Sequence, residues 1–563
     1  MRNPIPFCIF LFTGIFPFLS ASEPVLLTAT RLGSPGNDRI EGVAFAPDDT
    51  ILITGTFGES LEAPTLGEPQ TESQYKTGFV ARLSADGREV LAMLQFAPGI
   101  CHPTTVVAAP NGQIYLAGYA TAGLEPLIGA FEPLIPKATT RQKELTRWAP
   151  FVHRHDPQIN RNLHDERGVP FVLQLKEDLS EITSGTFLEG WQSVWHVPRP
   201  LGEDQWQPVD IALLPEGDVL VSHDGGIISD HGDRRPDYRD FYHVPDYVSR
   251  LSPDLQTRRW KKEIFTPPND PAKVKKHLGW DWPHETLGNT RIHRLRAAPD
   301  GSSFTIVGWS PSETSSEPWW SPFCFQFTPD GELRQTLYTP SPMAGSDDRM
   351  QTLVSDAAVA SVHYDHAGDL LLVVKGDGGN SILRRDPLDF RNSVPNGRWQ
   401  DNLWGFAGRT LFWGGVVRVD GLTGEFKRGL ALNGRDERNR VAPAWPIDIA
   451  PLPDGLVAVA SRHSTRFPFS ENAWSEAEFP PRSPGGSLLI LDENLSRRFA
   501  TSLGAVQPFR VESRGTRVVL VGMARSDEVV THEPNDRPGH IPGLGQSGYV
   551  LVVDLDPETE THD

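Results

Sequence analysis

Two kinds of apolar run alternate along the chain, and the pair recurs seven times. The first kind is an apolar stretch, a tight turn, then a β-rich stretch ending near Gly or Ser. It reads GVAFAPDDTILITG at 42–55, VVAAPNGQIYLAG at 106–118, DIALLPEGDVLVS at 210–222 and RLRAAPDGSSFTIVG at 294–308. It continues as SVHYDHAGDLLLVV at 361–374, DIAPLPDGLVAVAS at 448–461 and FRVESRGTRVVLVG at 509–522. Each predicts a β-hairpin, with Pro, Asp, Asn and Gly supplying the turn and β-branched residues the flanks.

The second kind reads GFVARLSADG at 78–87, PFVLQLKEDL at 170–179, DYVSRLSPDL at 246–255 and PFCFQFTPDG at 322–331. Then come GVVRVDGLTG at 415–424, GSLLILDENL at 486–495 and GYVLVVDLDP at 548–557. Alternating apolar residues before an Asp/Gly turn mark a further strand and the start of its hairpin. Seven units of two hairpins each predict an all-β chain, a seven-bladed β-propeller of four-stranded blades. The last unit stops after its third strand. An orphan strand, Val25–Leu32, opens the chain and is expected to complete the last blade, leaving no open sheet edge.

The segments TRLGSPGNDRIEGVAFAPDDTILITGTF (30–57) and GFVARLSADGREVLAMLQF (78–96) resemble the SBBP-type bacterial β-propeller repeat. They are also similar to delta-60 and NHL-like units. The resemblance is clearest in the first unit. Later units depart in their loops, and unit 5 lacks the Pro-Asp-Gly turn. It implies architecture only and carries no catalytic residues to this chain.

Residues 1–22 have the form of a signal peptide: Arg2, an apolar run from Ile5 to Leu19, then Ser20-Ala21-Ser22 before Glu23. Residues 23–563 are expected to form a single propeller, secreted or periplasmic and monomeric. The apolar run is short and interrupted by Pro6 and Pro17, so no transmembrane segment is predicted. The net charge of -19 argues against nucleic acid and against anionic membrane surfaces. Cys8 falls in the signal. Cys101 and Cys324 map to blades 1 and 4, which places them too far apart to bridge.

Topology assigns the long insertions, such as 119–169 and 375–413, to the face opposite the short turns. Long loops on one side of a rigid scaffold carry recognition. Trp148, His153 and His155 lie in the longest insert and are candidate ligand-binding residues. A lone Trp in such a loop also serves to pin it to the disc. Imidazole beside carboxylate suits zinc, and carboxylates alone suit calcium, but the spacing matches no closed site. No metal or other cofactor is therefore expected.

Counting back seven from each turn residue places Gly42, Thr105, Asp210, Arg294, Ser361, Asp448 and Pro508 at one level of the central channel. Asp210, Arg294 and Asp448 are the candidates there. An Asp210–Arg294 ion pair between neighbouring blades is expected, with Asp210 and Asp448 across the channel from each other. No nucleophile elbow, Walker loop, dinucleotide fingerprint or haem motif occurs. The favoured function is a secreted, non-enzymatic binding or scaffold module for a protein or carbohydrate ligand. The alternative is a secreted hydrolase or lyase with a metal- or carboxylate-based site at the channel mouth.

Overall fold

The computed structural model describes residues 23–34, 36–67, 76–120, 169–188, 209–223, 227–229, 241–243, 246–264, 291–312, 319–338, 357–376, 381–389, 392–400, 413–435, 437–438, 441–481, 483–532 and 546–556. β-Strand is the dominant element among them, and the helical pieces are single 3-10 turns. No helix among them is long and apolar enough to cross a membrane.

The strands fall into antiparallel quartets that follow the sequence units. In unit 1, Arg39–Phe45 pairs with Ile51–Phe57, that strand with Thr77–Leu83, and that in turn with Val90–Phe96. The first strands of units 2 to 6 are Cys101–Ala108, Asp210–Leu213, Arg291–Ala297, Ala357–Tyr364 and Ala444–Pro451. One long strand, Arg497–Arg514, ends unit 6 against Gly485–Leu491 and then opens unit 7 against Arg517–Val529. Ser547–Asp554 follows, and on its free edge lies Val25–Leu32, antiparallel, with Leu32 opposite Gly548 and Val25 opposite Asp554.

Each first strand packs on the first strand of the next unit. Arg497–Arg514 packs on Arg39–Phe45, so the succession of contacts returns to its start. The apolar core is divided in the same way, into clusters wedged between consecutive units. Leu52, Phe96, Leu116 and Phe171 fill the space between units 1 and 2. Ile53, Phe79, Val519 and Val552 fill that between units 7 and 1. Sheets covered on both faces bury their middle strands, and Ile51–Phe57 is buried at every position, with the Thr54 hydroxyl donating to the Phe79 carbonyl.

The short hairpin turns use left-handed backbone. Gly112 (φ 85°) and Asp49 (φ 66°) stand at equivalent points, the latter a residue type that tolerates this region better than most. Both Cys101 and Cys324 are free and buried. Cys101 opens the first strand of unit 2, however, and does not belong to unit 1 as expected. The repeating pattern becomes regular only at Val106, which hides the beginning of that strand.

Candidate functional site

The first strands line a central channel, and a shared irregularity sets which side chains face it. In units 1, 2, 4, 5, 6 and 7 the first strand carries one residue more than its hairpin partner, a β-bulge. Pairing resumes at Gly42, Thr105, Arg294, Ser361, Asp448 and Arg510. Asp210, opposite Ser222, holds the same place in unit 3. These seven form a belt around the channel. The belt residue of unit 7 is Arg510, where sequence counting gave Pro508. The reason is local: Arg514 pairs directly with Arg517, so this hairpin turns through Gly515 and Thr516 alone. In unit 1 the turn occupies residues 46–50, between Phe45 and Ile51. At Gly42 a β-carbon would sit 2.9 Å from the Thr104 carbonyl, so neighbouring backbones meet there more closely than a side chain allows.

Asp210 is fully buried. Its Oδ2 accepts the Leu295 amide at 2.9 Å, and its Oδ1 accepts Arg510 Nη2 at 3.2 Å and the Thr105 hydroxyl at 3.3 Å. Asp448, also fully buried, accepts the Val511 amide at 3.0 Å and the Ser361 hydroxyl. Arg294 Nε lies 3.7 Å from Asp448, and Arg294 Nη2 donates to the Phe509 carbonyl at 3.3 Å. The expected Asp210–Arg294 pair is thus replaced by Arg294 with Asp448 and Arg510 with Asp210. On the unit 4 side Asp210 Oδ2 accepts the Leu295 amide and faces Arg296 Nη1 at 3.5 Å, so the neighbouring arginine it meets is Arg296 and not Arg294. Burial works against ionised Asp210, but Arg510, Arg296 and Arg294 outweigh it and hold its pKa below the usual carboxylate range. Burial, together with the neighbouring Arg510 charge, brings Arg294 down to about 10.

The two carboxylates share one further role. Each caps a backbone amide of the following unit, one residue beyond that unit's belt position: Leu295 after Arg294, Val511 after Arg510. The inner edge of a first strand has no sheet partner, so its amides need other acceptors.

Two residues on along the strands lies a second tier. Arg296 Nη2 donates to Glu512 Oε1 at 2.8 Å, and His363 Nε2 stands 3.6 Å from Glu512 Oε2. Burial opposes ionised Glu512, yet Arg296 and His363 hold its pKa down. Units 1 to 3 place Ala44, Val107 and Ala212 at this level. Between the two sides is a cavity of about 370 Å³, on the short-turn side of the belt. Arg514 lines it and binds the first turn of unit 1, through the Ala46 and Pro47 carbonyls and an ion pair with Asp49 at 2.6 Å.

Trp148, His153 and His155 lie outside the described residues. Trp474, on another insert, packs its ring 5.0 Å from that of Phe499 and joins the core, pinning its loop. His223 is buried and stacks on Tyr247 at 5.4 Å. Among the described residues no group of three or more His, Cys, Asp or Glu is placed to hold a metal ion. Sequence counting missed Arg296, His363, Arg510 and Glu512. The period of two from Arg294 to Arg296 and from Ser361 to His363 was the available signal.

The described chain is therefore all-β, with its quartets in a propeller-like succession. No known family model matches the sequence, and no curated protein does. Among solved structures it is similar to Sqt1 from Chaetomium thermophilum (10% identity, TM-score 0.36, covering 95% of this chain and 99% of that one). It is also similar to BamB from Moraxella catarrhalis (8%, 0.34, 94% and 100%). A third is the quinohemoprotein alcohol dehydrogenase of Comamonas testosteroni (11%, 0.38, 96% and 77%). Likeness at this level carries no functional argument.

Proposed function

We propose that the chain is an exported, seven-bladed β-propeller of SBBP-type repeats, closed by Val25–Leu32. It acts as a monomeric, non-enzymatic binding or scaffold module for a protein or carbohydrate ligand, through the face bearing the long inserts. The pairing of Val25–Leu32 with Ser547–Asp554 supports the closure. So does the packing of unit 7 on unit 1. The observation that carries the functional reading is the state of the belt carboxylates. Asp210 and Asp448 are fully buried and committed to backbone amides and arginines of other units. Groups so engaged brace a ring and are not poised to exchange protons with a substrate.

The test is replacement of residues 123–166 by a short Gly/Ser linker. Folding should be retained, since loop-closure cost changes by only ~0.6 kcal/mol per doubling of length. Partners captured by the native chain should be lost. Unchanged capture by the variant, or one tightly held metal ion per purified chain, would count against the reading.

A further inference from the structure

We infer that the channel holds a second site: the cavity on the short-turn side of the belt binds a small organic carboxylate with an apolar body. This site lies at the end of the first strands that carries the short turns and is independent of the loop-face reading.

The belt gives the cavity a floor. Arg510 reaches from unit 7 to Thr105 and Asp210 in units 2 and 3. Arg294 reaches from unit 4 to Asp448 and the Phe509 carbonyl in units 6 and 7. These contacts run through the channel at the belt, and the pocket lies on the hairpin-turn side of them.

Its walls are unequal. One side presents Ala44, Val107 and Ala212, small and apolar. The other presents Arg296, Arg510, Arg514 and His363 against a single carboxylate, Glu512. Arg510 and Arg296 share the Asp210 carboxylate, and Arg514 pairs with Asp49. Asp210 is fully buried in the belt, and Asp49 sits in a surface turn. In a chain of net charge -19, this lining gathers three guanidiniums and an imidazole around one carboxylate in a concave site, where walls of low dielectric focus the field. Guanidinium forks match carboxylate geometry. A volume of about 370 Å³ is near the lower end of ligand pockets, ~300–1,000 Å³, and excludes a polymer. Glu512 on the charged wall disfavours a multiply charged anion, and the apolar wall gives the body of a monocarboxylate its contact.

The probe is benzoate, titrated calorimetrically into the full mature chain, with benzyl alcohol and inorganic phosphate in parallel. Benzoate should bind once per chain, with both comparison compounds at least tenfold weaker. Ala44→Phe and Val107→Phe, on different units, should each fill the cavity and weaken benzoate at least tenfold without altering the thermal melt. Arg296→Gln should weaken benzoate but not benzyl alcohol, a selective loss that general loosening of the ring would not give. The variant lacking 123–166 should bind benzoate normally, which separates this site from the loop face. The proposal is overturned by no benzoate binding, by undiminished binding in both cavity-filled variants, or by benzyl alcohol or phosphate binding as well as benzoate does.

Discussion

Arg510 Nη2 donates to Asp210 Oδ1 at 3.2 Å although 300 residues of chain separate them. Both groups are buried. The pair joins opposite sides of the channel, and Asp210 simultaneously caps the Leu295 amide of its neighbour. A buried carboxylate facing Arg510, Arg296 and Arg294 is costly to neutralise, because the arginines would then stay buried with less compensation.

Asp210→Asn should accordingly destabilise the protein by about 3–5 kcal/mol, the usual cost of breaking a buried ion pair. Chemical denaturation measures this. The double variant Asp210→Leu with Arg510→Met should recover part of the loss, since no unpaired charge remains from this pair. A single Asn variant as stable as the native chain would show that the belt does not brace the ring.

Removal of residues 23–33 should abolish the cooperative unfolding transition. The strand Val25–Leu32 covers the edge of Ser547–Asp554, and Ala29 belongs to the cluster between units 6 and 7. Differential scanning calorimetry of the truncated chain is the measurement, and a native-like melt would refute closure by this strand.

His463 gives a stability change on the acidic side of neutrality. Burial lowers its pKa from 6.5 to about 4, against the raising effect of its hydrogen bond to the Ala477 carbonyl at 3.0 Å. The native state therefore binds fewer protons than the unfolded state between these values. Its stabilising contribution is whole above pH 6.5 and is lost as pH falls toward 4, on the order of 3 kcal/mol. The ring sits among Phe467, Phe469 and Phe479. His463→Phe should flatten the stability profile between pH 6.5 and 4, read by denaturant midpoints at several pH values.

Glu41 acts lower on the pH scale. Burial raises its pKa, but His102 and Arg39 outweigh that and bring it from 4.5 to about 2. His102 Nε2 lies 2.8 Å from one of its oxygens. Its contribution is full above pH 4.5 and disappears as pH falls toward 2. Glu41→Gln should lower stability at neutral pH and remove the acid-dependent loss in that window. Equal slopes for the two proteins below pH 4.5 would refute the assignment.

Thiol titration of the denatured, unreduced protein should find Cys101 and Cys324 both free. Native protein should react slowly, because both thiols are buried and burial raises their pKa. A mass corresponding to a 101–324 bridge would contradict the placement of the two cysteines in separate units.

The strand content, the hairpin order and the pairing of the two chain ends were legible in the sequence because they are carried by local signals. Turn chemistry and alternation act within about ten residues, and they recur at Pro110-Asn111-Gly112 as at Pro453-Asp454-Gly455. The belt positions were legible in every unit but the last. Asp210, Arg294 and Asp448 emerged from a count that assumed equal turns, and the two-residue turn of unit 7 defeated it at Arg510. Which carboxylate meets which arginine was decided by tertiary structure alone. Around the ring, units far apart in sequence face each other across a few ångströms. An arginine side chain can therefore bypass its neighbour in sequence order for a more distant unit, as Arg294 does in reaching Asp448. The cavity has the same origin, because one wall comes from units 1 to 3 and the other from units 4, 5 and 7. A local pattern specifies each strand; only the packing of units on one another determines what the inner strands enclose.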